Sequence, residues 1–161
     1  IEMAFNAESG VVTLNLGKID RNIRPLDDST MNVPTLPSLD LPCKVKMTGA
    51  DLAQALKAAR QVGDLVNFSI DSDTFTVHVQ GSTDSVTVSF HKDELQSLEC
   101  KAPARSQYSL TYLVPMAKVF GPLETVEIGF GENYPLSMKF SFNDGAANVQ
   151  YFLAPRVEND Y

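Results

Sequence analysis

The chain has 161 residues, 43% of them hydrophobic, a formal net charge of −7 and two cysteines. That length fits one ordinary domain, or one domain joined to part of another. Such an acidic balance excludes a general nucleic-acid-coating protein, whose affinity comes from neutralising phosphates, but leaves room for a few cations gathered on one face. Cys43 and Cys100 lie far apart with no CxxC partner, which suggests neither a zinc site nor a disulfide framework. They read as two buried thiols in a reducing compartment. No apolar run approaches the ~20 residues of a membrane span, and no signal-peptide pattern opens the chain. The first residue is Ile1 rather than Met, which we read as a fragment or processed product.

Residues Ile1–Ala7 and Val11–Leu16 alternate apolar and polar side chains around Glu8-Ser9-Gly10, the pattern of a β-hairpin with one buried face. Lys18–Leu26 reads as a third strand, with Ile19 and Ile23 its candidates for burial. Three strands without a helix make a poor independent core. Val33–Pro42 then carries three prolines and three leucines, Leu36, Leu39 and Leu41. Proline lacks the N–H that sheet or helix pairing needs and biases its predecessor toward extended geometry, so this stretch reads as a semi-rigid strap.

Beyond the strap, Cys43–Met47 alternates as a strand. A helix follows from Thr48 or Gly49 to about Gln61, with Gly63 as its stop signal. Its inner stripe is Leu52, Ala55, Leu56 and Ala59, and its outer face carries Gln54, Lys57, Arg60 and Gln61. Strands are expected at Leu65–Ile70, Phe75–Val79, Val86–Phe90 and Leu95–Lys101. Ser109 is the expected cap of a second helix, Leu110 to about Phe120, with a bend at Pro115. Its inner stripe is Leu110, Leu113, Ala117 and Phe120, leaving Thr111 and Lys118 outside. Strands Thr125–Phe130, Leu136–Phe142 and Ala147–Leu153 complete the pattern, the last two joined by the turn Asn143-Asp144-Gly145. This segregated order points to an α+β fold: an antiparallel sheet with both helices on one face.

No catalytic constellation emerges. His78 alternates within a strand and His91 adjoins Lys92-Asp93-Glu94, neither in a nucleophile or metal motif. Asp71-Ser72-Asp73 lacks the glycine and distal glutamate of a calcium loop and reads as a turn. The chain is expected not to be an enzyme and to need no cofactor and no metal.

The element order, and the ending Tyr151-Phe152-Leu153-Ala154-Pro155-Arg156-Val157-Glu158, resemble the sliding clamps of the proliferating cell nuclear antigen family, archaeal members in particular. The strap is similar to the family's interdomain connecting loop, and Asn133-Tyr134-Pro135-Leu136 resembles the loop flanking its partner pocket. The resemblance implies three parts. Residues 1–26 correspond to the last strands of a first clamp domain, 27–42 to the connecting loop and 43–161 to a second clamp domain. The start of the first domain has no counterpart, so the chain reads as an N-terminally truncated clamp.

The family's functional residues carry over as expectations. A partner-peptide pocket is implied at Leu36, Pro135, Leu136, Phe152, Ala154, Pro155 and Val157. Lys57, Arg60 and Lys118 are implied to face double-stranded DNA. Subunit contacts are implied at Arg21 and Ile23 on one edge and Val86 and Val88 on the other, closing a homotrimer in the intact protein. An unpaired edge near Val149–Leu153 is expected to promote association of this shorter form. The implied partners are DNA polymerase, other proteins with clamp-binding peptides and a clamp loader; the implied location is the cytoplasm of an archaeal cell, on the nucleoid, with no membrane partner. The competing reading is a generic α+β protein-interaction domain without a DNA role, in which the three cations only solvate a helix face. A hydrolase ranks behind both, for want of a nucleophile–base pair.

Overall fold

Alternating side chains at the start of the chain build a three-stranded antiparallel sheet, β1 (Glu2–Asn6), β2 (Val11–Leu16) and β3 (Ile19–Ile23), in the order β1-β2-β3. The computed structural model describes residues 1–29, 31, 32, 34, 35 and 38–157. Gly10 and Gly17 supply the left-handed backbone, at φ 65° and 68°, that the two tight turns need. Register places Met3 opposite Leu14, Phe5 opposite Val12, Val12 opposite Ile23 and Leu16 opposite Ile19, so one face is apolar apart from Arg21, which lies opposite Leu14. That face remains open: Met3, Phe5, Ile19 and Ile23 are all exposed. The sequence expectation of burial at Ile19 and Ile23 therefore fails: among the described residues of this unit the three strands form a single layer with no helix of their own. Residues 1–38 form one compact unit and the chain from Leu39 onward a second.

The second unit begins inside the strap. Leu41 and Pro42 are half-buried and seat against Gly129 and Gly131, where an added Cβ would crowd their side chains. After them come β4 (Cys43–Met47), α1 (Gly49–Arg60), β5 (Leu65–Ile70), β6 (Thr74–Gln80), β7 (Ser85–His91), β8 (Ser97–Cys100) and β9 (Ala104–Ser109). Then follow α2 (Leu110–Phe120), β10 (Val126–Phe130), β11 (Leu136–Phe142) and β12 (Ala147–Leu153). All strand pairs are antiparallel and fall into two sheets, β12-β11-β10-β4-β8 and β7-β6-β5-β9. The expected α+β architecture is present, with two sheets where the element order suggested one.

A shared aromatic core joins the sheets. Phe130 on β10 lies 6.2 Å, centroid to centroid, from both Phe68 on β5 and Phe75 on β6. Burying such a side chain contributes roughly 1.5–3 kcal/mol. Helix α1 buries Leu52, Ala55, Leu56 and Ala59, the stripe read from the sequence. Helix α2 buries Leu110, Leu113 and Phe120, and Phe120 stands 6.0 Å from Phe140 of β11. The helices lie side by side. They come close at Gly49, whose N–H donates to the Leu123 carbonyl at 2.9 Å and whose missing Cβ leaves room for the Phe120 carbonyl.

Local chemistry accounts for most boundaries. Thr48 Oγ1 accepts from the Asp51 N–H at 3.2 Å and its hydroxyl donates to the Asp51 carboxylate, capping α1. Ser109 makes no such cap on α2; strand β9 runs straight into the helix, and the Leu110 N–H donates to the Asp64 carbonyl at 2.8 Å. Helix α2 continues through Pro115, which sits on the exposed side, so the carbonyl it leaves unpaired is Thr111's, also at an exposed residue. The turn Asn143-Asp144-Gly145 takes left-handed φ at all three residues, as its composition predicts. Strand β9 is absent from the sequence reading: its buried positions are Ala104, Ser106, Tyr108 and Ser109, too small or polar to register as an apolar alternation.

Candidate interaction surfaces

The outer surface of the helix pair is the first candidate. Lys57 and Arg60 on α1 and Lys118 on α2 are exposed, on the faces opposite the buried stripes. They are not equivalent. Arg60 is ion-paired with Asp64 and donates to the Gly63 carbonyl at 3.3 Å, whereas Lys57 and Lys118 have no ion-pair partner among the described residues. The i,i+4 spacing of Arg60 and Asp64 is the sequence signal of this pair.

The second candidate is the chain's last described stretch. Beyond β12, Ala154 and Val157 are exposed and Pro155 half-buried, and the Arg156 N–H donates to the Gln107 carbonyl of β9 at 2.7 Å. Proline stops the strand by withholding an N–H, and the next residue crosses to the other sheet. Phe152 and Pro135 are half-buried. Leu136 is 0% exposed and pairs in register with Leu153, so it supports this region from beneath instead of lining its surface. Leu36, expected at the same pocket, lies outside the described residues.

Beside the tail opens a polar cleft of about 760 Å³ lined by Asn67, Gln80, Arg105, Gln107, Glu132 and Arg156 among others. Of the apolar residues expected at a partner pocket it includes only Val157. Arg105, Ser106 and Gln107 of β9 form part of its lining. The Glu132 carboxylate accepts from the Arg105 N–H at 2.6 Å, and the Asn133 N–H, on a backbone at φ 48°, donates to the Arg105 carbonyl at 3.0 Å. Tyr108 donates its hydroxyl to the Tyr134 carbonyl at 2.7 Å, which Ser106 also approaches at 3.3 Å. Burial pushes the Tyr108 phenol well above its usual range. These groups cap an edge strand that would otherwise be a pairing template. Of these, Asn133 and Tyr134 belong to the loop that the family resemblance marks; Arg105, Ser106 and Tyr108 carry no sequence signal, because β9 has no apolar alternation.

The third candidate is a group of outer strands. Strand β3, with Arg21 and Ile23, is an outer strand of the small sheet; β7, with Val86 and Val88, is an outer strand of the four-stranded sheet; β12 closes one side of the five-stranded sheet. All four named side chains are at least partly exposed.

The polar residues left over have structural partners. His78 Nδ1 meets Thr87 Oγ1 at 2.8 Å across β6 and β7, and the His91 N–H donates to Glu94 at 2.8 Å. Asp71 accepts from the N–H groups of Asp73 and Thr74, the turn its composition suggested. Among the described residues no group of three or more His, Cys, Asp or Glu side chains is placed to hold a metal ion, and no helix is long and apolar enough to cross a membrane. Cys43 is buried as expected, but Cys100 is only half-buried and faces Cys43 across the β4–β8 ladder.

Fold and surfaces together define an α+β class: two antiparallel sheets with a pair of neighbouring helices that carry exposed cations, and outer strands at the sheet edges. The comparisons specify it. Residues 35–156 match the family description "Proliferating cell nuclear antigen, C-terminal domain", and the chain belongs to that family. Curated relatives named "DNA polymerase sliding clamp" include those of Methanosarcina mazei, 33% identical over 161 residues, and Archaeoglobus fulgidus, 32% identical over 162 residues. Each alignment covers 99% of this chain and 65% of the relative. A solved structure described as the C-terminal region of FEN-1 bound to A. fulgidus PCNA superposes with a TM-score of 0.85 at 30% identity, over 98% of this chain and 64% of that one. PCNA from Thermococcus kodakaraensis superposes with a TM-score of 0.81 at 26% identity, over 96% and 64% of the two chains. The chain thus spans just under two thirds of the length of these relatives.

Proposed function

We propose that this chain is the greater part of a sliding-clamp subunit, a processivity factor and docking platform for replication and repair proteins. The observation carrying this reading is the helix pair. Both helices bury their apolar stripes and turn Lys57, Arg60 and Lys118 to solvent, in a chain that is otherwise acidic. Three cations give weak, salt-sensitive, sequence-independent contact with phosphate, which suits a ring that slides on double-stranded DNA. Acidity elsewhere discourages clinging outside the channel. The reading is of a scaffold, not a catalyst, working on the nucleoid in the cytoplasm of an archaeal cell.

In this reading residues 1–26 are the last strands of a first clamp domain, 27–42 the connecting loop and 43–161 the second domain. Polymerase and other partners dock a short peptide against Phe152, Pro135, Ala154, Pro155 and Val157, with Leu136 beneath and Leu36 contributed by the strap. Support comes from the solved relative whose partner is the C-terminal region of FEN-1. Arg21 and Ile23 of one subunit meet Val86 and Val88 of the next by edge pairing, closing a homotrimer that a clamp loader opens. In the shorter chain the open edge at β12 favours irregular association.

The test is a titration of the chain with a labelled peptide carrying a glutamine and paired aromatics. Saturable binding that weakens about tenfold or more in Phe152→Ala is expected, a loss typical of a buried anchor contact. A peptide that does not bind, together with an indifferent Phe152→Ala, leaves the generic interaction domain as the better description.

A further inference from the structure

Cys43 and Cys100 are 57 positions apart in sequence and direct partners in space. They face each other across β4 and β8, and the next pair outward carries a ladder bond, Lys101 N–H to the Pro42 carbonyl at 3.1 Å. Alternation along an antiparallel ladder makes the cysteines a non-hydrogen-bonded pair, the type whose Cα atoms stand about 4.5 Å apart with side chains closest. A disulfide accepts Cα separations of roughly 4.4–6.8 Å. Both thiols lie on the core-facing side, since Val45 and Leu98, their neighbours on that side, are buried partners in the same ladder. Neither strand needs to move far. Pro42 is seated at Gly131, and Lys101 also pairs with Asp40 at 3.5 Å.

Exposure divides the roles. Cys43 is 0% exposed and its Sγ contacts the Ala102 carbonyl at 3.4 Å, whereas Cys100 is half-buried at the outer strand of its sheet. A small oxidant can reach only the second.

We propose that Cys43 and Cys100 form a redox-modification site, a cross-strand thiol pair that a hydroperoxide converts to an intramolecular disulfide. The Cys100 thiolate attacks the terminal peroxide oxygen; an S–O bond forms, the O–O bond breaks, and the departing hydroxide or alkoxide takes up the proton that Cys100 released and leaves as water or an alcohol, so the sulfur loses two electrons and the peroxide gains them. Cys43 Sγ then attacks the Cys100 sulfur; the S–S bond forms, the S–O bond breaks, and hydroxide departs with the Cys43 proton as a second water. The product fastens β8, which has a strand neighbour on one side only, to the strand that follows the strap. This inference is independent of the clamp reading.

The experiment treats the full chain with hydrogen peroxide, quenches it, and measures intact mass under denaturing, non-reducing conditions. A loss of about 2 Da, the two thiol hydrogens, is expected, reversed by dithiothreitol and absent from Cys100→Ser and Cys43→Ala. The oxidised chain should melt about 5 °C higher than the reduced one, because a long loop is closed in the unfolded state. Cys43→Ala keeps the site apolar and should instead gain one oxygen on Cys100. A wild-type chain that gains only oxygen, forms only intermolecular dimers, or closes no faster folded than in urea overturns the proposal.

Discussion

The backbone N–H of Arg156 reaches the carbonyl of Gln107 at 2.7 Å, tying the chain's last described stretch to an outer strand of the four-stranded sheet. The tail leaves one sheet at β12 and is held by the other at β9. A surface built on the tail is therefore positioned by both sheets, and its geometry depends on one backbone bond that a substitution can remove.

Arg156→Pro deletes that donor. Global stability, measured by urea denaturation, should fall by about 1 kcal/mol or less, the ordinary net value of one such bond. Hydrogen exchange and proteolysis at residues 153–157 should rise much more, since the loss is local. Unchanged protection of the tail would show that other contacts hold it.

Tyr108 carries the support of the neighbouring loop through its hydroxyl on the Tyr134 carbonyl. Tyr108→Phe should cost about 1 kcal/mol in urea denaturation, because Ser106 still approaches the same carbonyl. Adding Ser106→Ala leaves that carbonyl without either partner, and the double variant should lose more than the sum of the two singles.

Gly49→Ala sets two effects of opposite sign against each other. Alanine favours a helix over glycine by up to about 1 kcal/mol. Here its Cβ overlaps the Phe120 carbonyl, a backbone atom of the adjoining helix that cannot swing aside. Overpacking of this kind costs about 1–3 kcal/mol, so a net loss of stability is expected. Gly129→Ala meets the Leu41 side chain, which can rotate away, and should cost less. A stabilised Gly49→Ala would mean that the helices separate easily.

Alkaline pH should weaken the fold. Burial pushes the Cys43 thiol from its ordinary 9.0 up to about 12, with Cys100 and Glu132 adding to the effect, and burial raises the Tyr108 phenol above its ordinary 10.0. Both groups keep their protons longer folded than unfolded, so above about pH 9 the unfolded state binds fewer protons and unfolding stability falls as pH rises. Their contribution is full below that pH. The midpoint of urea denaturation should drop between pH 9 and 11 in the wild type, and less in Cys43→Ala.

Much of this protein was legible in one dimension. Periodicity located α1 with its buried stripe Leu52, Ala55, Leu56 and Ala59, and it located α2, because a helix on a core must repeat its apolar residues near every 3.6 positions. Turn chemistry located the hairpin at Asn143-Asp144-Gly145, where left-handed backbone is needed. The terminal motif carried the family resemblance that the comparisons bear out. Relations between distant segments were not legible. Strand β9 hid behind Ser106 and Gln107, whose placement depends on partners in β5 and in the loop after β10. The pairing of Arg60 with Asp64 makes one of three similar cations unlike the others, and Leu136 lies beneath the surface it was expected to line. Cys43 and Cys100 show the division most clearly. Composition alone made them two separate thiols, whereas strand order and register set them face to face, because a sheet brings together residues that the chain keeps far apart.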